Sequence, residues 1–203
     1  MSVTQAANSP NGHLSELEFL DSRRSVPARQ LAAPGPDHAT VLRMLQSASR
    51  VPDHGRRVPF RFVRIAGDAR LELGEALAAL TIARDPQASD GAVEKDRQRF
   101  AHAPLVIAVL AILDPDDRKI PEVERLLSAG AACFALLQAA QALGFGANWL
   151  TGWPAHDPQA HALLGMGEHE RVVGFVHIGT PMAEAPERER PDAAALLTDW
   201  TPG

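Results

Sequence analysis

The sequence predicts a layered domain of the α/β type, a sheet with helices packed against it. Three observations predict it. About four stretches carry strand patterning and six or so carry helical patterning, interleaved along the chain. The 203 residues are 45% hydrophobic and 22% charged, an ordinary globular composition with enough apolar side chain for one large core. No internal repeat or obvious linker divides them, so residues 14–203 are expected to form a single domain. The polar stretch before it, "MSVTQAANSPNGH", reads as a disordered tail over 1–13, because it lacks the basic start and apolar centre of a signal peptide.

In "LSELEFLDS" (14–22) the leucines fall at near-helical spacing, and a short helix is expected to stop near Arg23 and Arg24. "LAAPGP" (31–36) is a proline-rich connector that no long helix survives. Asp37 caps the next helix, whose expected apolar face is Val41, Leu42, Leu45 and Ala48 and whose expected end is Arg50, ahead of Pro52 and Gly55. "FRFVRIAG" (60–67) alternates apolar and polar residues as a strand with one wet face does. Residues 69–83 return to helical spacing, and 91–101 form a strongly charged helix. "APLVIAVLAIL" (103–113) is apolar on both alternating sets, the pattern of a central strand covered on both faces. The longest helix spans 121–143, and its Ala and Gly content invites close approach by another helix or a subunit. "GFGANWLTG" leads into a strand, "DPQAHALLG" is a short capped helix, and "RVVGFVHIGTP" is the last clear strand. The tail beyond Met182 is charged, then helical, and carries Trp200 near its end.

The net charge of −5 argues against general nucleic-acid binding, which needs a basic surface. Any phosphate must be held by a local basic cluster. The single cysteine, Cys133, permits no internal disulfide and fits a reducing compartment, so a cytoplasmic location is expected. "LVIAVLAIL" is too short to span a bilayer, and the uncharged stretch 129–147 reads better as a buried helix than as a membrane span.

Few residues announce chemistry. "GFGANW" follows a helix and opens a strand, the reverse of a dinucleotide-binding loop, so its first glycine reads as a helix C-cap. Cys133 has no charged neighbour in "AGAACFALLQ" and reads as an inert buried thiol. His156, His161 and His169 share no helical face, and no metal site is expected. The arginines remain: Arg23 and Arg24 at one helix end, Arg50 at the next, Arg188 and Arg190 in the tail. Each alone can be a solvated cation favourable to its helix dipole. Arg23-Arg24-Ser25 also offers two planar forks and a hydroxyl, which suit a phosphate monoester.

Several blocks occur here in a characteristic order: "RRSV", "RVPDHGRRVPFRFVRI", "APLVIAVLA", "AAQALGFGANWLTG" and "VVGFVHIGTP". By them the chain, from Leu14 to Trp200, resembles the nitroreductase family of FMN-dependent oxidoreductases, in particular its short YdjA-like members. The resemblance implies an α+β fold, a three-layer sandwich with a largely antiparallel central sheet flanked by helices. It also implies an interlocked homodimer with one FMN in each of two clefts at the interface. It matches Arg23, Arg24 and Ser25 to an FMN-contacting block, and Arg50 and His54 to positions that reach FMN from the other subunit. Trp149, Leu150 and Thr151 match the segment beside the isoalloxazine and phosphate, and Arg188 and Arg190 a basic pair near the phosphate. Segments 97–102 and 139–144 fall where close relatives are proposed to contact the nicotinamide cofactor. The implied activity is hydride transfer from NAD(P)H to flavin, then to a nitroaromatic, quinone or similar small acceptor, with His54 as a hydrogen-bond donor and no side-chain nucleophile. The same scaffold also suits a flavin-handling or specialised reductase role, or a dimerisation module without activity. Val58-Pro59-Phe60 stands where most relatives have Gln-Pro-Trp, and Leu150 where close relatives have Arg. These departures make the pocket more apolar.

Overall fold

The computed structural model describes residues 15–202, so the expected tail over 1–13 lies outside the described residues. The elements in chain order are α1 (Glu16–Asp21), β1 (Leu31–Ala32), α2 (His38–Ala48), β2 (Phe60–Ala66), α3 (Ala69–Arg84), α4 (Asp90–Arg97), β3 (Leu105–Ile112), α5 (Glu122–Ala142), β4 (Gly146–Leu150), α6 (Pro158–Leu163), β5 (Glu170–Pro181) and α7 (Ala193–Leu196).

Local chemistry sets most of the boundaries. Ser15 and Glu18 form a reciprocal capping box on α1. The Asp37 carboxylate accepts the Thr40 N–H at 2.8 Å and starts α2. At the end of α5, Gly144 takes φ 81°, and its N–H and that of Phe145 donate to the Gln141 and Ala140 carbonyls, both at 2.9 Å. This is a Schellman C-cap, and it needs the left-handed conformation that glycine adopts without strain.

The strands form one five-stranded sheet in which every described pairing is antiparallel. β5 lies between β3 on one side and β4, with β1 beyond it along the strand, on the other; β2 pairs with the far side of β3. An α/β alternation suggests parallel strands, but β2 and β3 are joined by two helices, α3 and α4, which pack on each other. A helix pair returns the chain to the end of the sheet it left, and the next strand must run back. α5 alone makes a true crossover, carrying the chain from β3 to β4, with β5 inserted between them.

The alternation of β3 builds the three layers. Leu105, Ile107 and Val109 pack on α2 and α5 through Val41, Met44, Cys133 and Leu136. Val106, Ala108 and Leu110 pack on the opposite layer, with Leu77 of α3, Phe100 and Ala160 of α6. All of β3 up to Ala111 is buried, as a central strand demands. α5 has the length and composition of a membrane span, yet one flank of it is the floor of this core.

Three expectations need correction. Residues 31 and 32 are a short strand rather than a connector, because they precede the prolines and still have N–H groups to share with β5. The buried stripe of α2 is Val41, Met44 and Ala48, while Leu42 is exposed. The charged helix ends at Arg97, so that Phe100 can enter the core and meet Phe175 edge-on at 5.0 Å.

Candidate functional site

After α1 the chain runs extended beside β4, fixed by a Val26 N–H bond to the Ala147 carbonyl at 3.0 Å. The end of α1 is tied to the end of α5, because the Gln141 amide donates to the Phe19 carbonyl (3.0 Å) and the Ser22 hydroxyl (2.8 Å). Extended chain points alternate side chains to opposite sides. Arg23 and Ser25 therefore enter one cleft, and Ser22, Arg24 and Val26 another.

The first cleft has a volume of about 460 Å³ and is lined by Arg23, Ser25, Phe134, Leu137, Trp149, Thr151 and Val173. Its floor is apolar and comes from α5 and a kink in β5. Opposite Val109 and Leu110 the ladder skips Val173, a bulge that turns this residue out of register. The freed Val173 carbonyl accepts the Trp149 indole N–H at 3.1 Å, which locks the ring against the bulge. Gly174 makes room for it: a Cβ there would lie 1.9 Å from Trp149 Nε1. Gly174→Ala is therefore expected to cost about 2 kcal/mol of stability through overpacking, measured by chemical denaturation. An unchanged midpoint would show that Trp149 is not held this way.

Charge collects at the polar end. Arg23 Nη1 lies 3.3 Å from Ser25 Oγ. Partial burial first, and then the charges of Arg190, Arg24 and Arg188, lower the pKa of the Arg23 guanidinium. The arginine stays protonated all the same. The positive charges of two distant segments thus reach Arg23, and that field favours an anion beside it. Arg24 turns the other way. Its Nη1 donates to the Asp21 carbonyl at 2.6 Å, and its Nη2 forms an ion pair with Glu187. It lines a cavity of about 290 Å³ with Gln141, Gly146 and Pro181.

The other expected positions fall elsewhere on the chain. Leu150 ends β4 and is partly exposed. Arg50 borders a broad groove along α2 with Leu42, Arg43 and Phe62. His54 is exposed, with Nδ1 2.6 Å from Glu124 Oε2 at the start of α5. Glu124 and Phe134 are ten residues apart on that helix, roughly 15 Å at 1.5 Å per residue. The loop around His54 is firmly held. Asp53 accepts the N–H groups of Arg57 (3.0 Å) and Val58 (2.8 Å), and Arg57 Nε pairs with Asp117 at 2.7 Å. It bends sharply enough that Val58, a β-branched residue, sits at φ 46°.

Sequence reasoning misses Phe134, Leu137 and Val173 as cleft residues. The available signal is Phe134, a lone aromatic in a run of small residues. Cys133 beside it is fully buried, and burial pushes its thiol well above the ordinary range, in keeping with an inert core residue.

Comparison with known proteins defines the class as an oxidoreductase. The model of the nitroreductase family matches residues 20–180. The chain is 36% identical over 169 residues to the Escherichia coli (strain K12) protein named "Putative NAD(P)H nitroreductase YdjA", covering 83% of this chain and 90% of that one. The nitroreductase-like family protein from Bacillus cereus, a crystal structure, superposes with a TM-score of 0.79 at 22% identity, covering 96% of this chain and all of that one. A Bacteroides fragilis nitroreductase with bound FMN superposes with a TM-score of 0.68 at 22% identity, over 93% and 100% of the two chains. The chain belongs to the nitroreductase family.

Proposed function

We propose that the protein is an FMN-dependent NAD(P)H oxidoreductase that reduces nitroaromatics, quinones or similar small acceptors. The observation that carries this reading is the cleft itself. Arg23, Ser25, Trp149 and Thr151, matched one by one to flavin positions, line one opening above an apolar floor of Phe134, Leu137 and Val173. The residues fit the cofactor. FMN has a flat apolar ring system and a phosphate, and this cleft has an aromatic, aliphatic bed and a cationic end. That the Bacteroides fragilis relative holds FMN supports the reading.

Bound FMN would supply the redox chemistry, two-electron ping-pong transfer between NAD(P)H and the acceptor. The chain's own residues bind and orient. Arg23 and Ser25 would hold the phosphate, with the charges of Arg188 and Arg190 in support. Trp149 and Thr151 would flank the ring, and Phe134, Leu137 and Val173 would exclude water from its apolar side. Arg24 steadies the wall behind Arg23. His54 and Arg50 belong, in this reading, to the cleft of a second copy, with His54 as the hydrogen-bond donor.

The surface of α5 supports a homodimer. Val123, Leu127 and Phe134 are exposed and fall at helical spacing on one face, and nothing lies within 4 Å of the position a Cβ would take at Gly130 between them. The same helix carries the His54 partner, Glu124, at one end and the cleft residues toward the other. A second copy on this face brings the two half-sites together.

The experiment is direct. The purified protein is expected to be yellow, to bleach anaerobically with NADH or NADPH, and to be a dimer by light scattering. A colourless protein that ignores added FMN would sink the reading. A monomer that keeps full flavin would sink the shared site.

A further inference from the structure

We propose that Glu187 is a positioning residue for the phosphate end of the cleft, a brace that keeps Arg24 and Arg190 assembled around Arg23 while leaving Arg23 free for an anion. This rests on the FMN reading above. Glu187 lies in the segment between β5 and α7, which has no regular backbone structure. Its Oε2 pairs with Arg24 from the far end of the chain, and its Oε1 accepts from Arg190 Nη2 at 3.0 Å and Nε at 3.2 Å. The same oxygen accepts the backbone N–H of Arg188 at 2.8 Å.

One carboxylate thus ties together three of the four arginines. Among the described contacts, the segment has few other anchors. Met182 donates to the Gln30 carbonyl at 2.9 Å, and Ala185 is buried against Val26 and Leu31. Beyond Ala185, Glu187 is what fixes the approach of Arg188 and Arg190. Arg23 makes no contact with it and faces Ser25 instead. The carboxylate is therefore beside the anion position and not in it.

Two effects of removing this charge oppose each other. Deleting a negative group near a phosphate favours binding through the field, and deleting the brace disfavours it through geometry. Glu187 is half-exposed, so the field effect is strongly screened and the geometric effect should win.

The test compares FMN with riboflavin, which lacks the phosphate, in titrations of wild type, Glu187→Gln and Glu187→Asp. Glu187→Gln should lose about tenfold in FMN affinity, the scale of one charge-assisted hydrogen bond, with riboflavin affinity unchanged. Its melting midpoint should hold within about 2 °C, because exposed ion pairs contribute little to folding. Glu187→Asp, which restores the charge, should recover most of the loss. Equal or tighter FMN binding by Glu187→Gln would overturn the proposal, as would a parallel loss of FMN and riboflavin. A wild-type protein that binds FMN no better than riboflavin would overturn the phosphate site itself. A preference for FMN over riboflavin undiminished in Glu187→Gln would overturn the brace alone.

Discussion

Arg23→Ala should lower the affinity for FMN by about ten- to a hundredfold. Its guanidinium lines the cleft beside Ser25, within the field of other cations, and Ser25 Oγ at 3.3 Å is its one side-chain partner among the described contacts. A hydrogen bond to a charged group is worth about 1.5–3 kcal/mol, and each 1.4 kcal/mol is about tenfold in affinity. Arg24→Ala should cost less, because Arg24 spends its forks on the Asp21 carbonyl and Glu187 and faces the neighbouring cavity. Fluorescence titration of both variants reads the difference. Unchanged FMN affinity in Arg23→Ala would remove that arginine from the site.

The elements were largely legible because their signals are local. The Asp37 cap, the glycine C-cap after α5 and the double-sided apolar run of β3 each act within a few residues, and each appears where the chain codes for it. The direction of the strands was not local. It follows from α3 and α4 packing as a pair between β2 and β3, and nothing in the spacing of a helix says whether it returns the chain or crosses it over. The family resemblance supplied the antiparallel sheet that the residue pattern could not.

The site was legible to a different depth at each residue. From pattern alone, Arg23-Arg24-Ser25 was either a helix end or an anion grip. The structure gives the two arginines different surroundings, and the cause is elementary: beyond α1 the chain is extended, so neighbours diverge. Phe134 was hidden because a helix of small residues gives no clue to which face stays open. Val173 was hidden because a bulge depends on the partner strand's register. Glu187 was hidden because a carboxylate in "ERERP" is indistinguishable, as sequence, from a solvated tail.

Mild acid should destabilise the fold before most carboxylates titrate, and His177 should be the cause. It is 2% exposed on β5, stacked near Phe100 at 5.8 Å, with a buried Nδ1 that has no partner. Burial lowers its pKa to about 4 from the ordinary 6.5, and the nearby charges of His102 and Arg99 add to the shift. The folded state therefore holds the neutral ring, while the unfolded chain takes up a proton below pH 6.5. The stability from this group is fully present above pH 6.5, falls as the pH drops toward 4, and falls no further below it. At 1.36 kcal/mol per unit of pKa difference the loss is on the order of 3 kcal/mol. The depressed carboxylates Glu18, Asp37, Glu94, Asp96, Asp117 and Glu170 have ordinary values of 3.8 to 4.5 and begin to act about one pH unit above them. The upper part of the fall, from pH 6.5 to about 5.5, therefore reads His177 with least interference. Urea unfolding across that interval should show a falling free energy in wild type. His177→Leu, whatever its absolute stability, should lose most of that slope, since the apolar side chain has no proton to bind. If the slope survives the substitution, another group carries it and the buried imidazole does not.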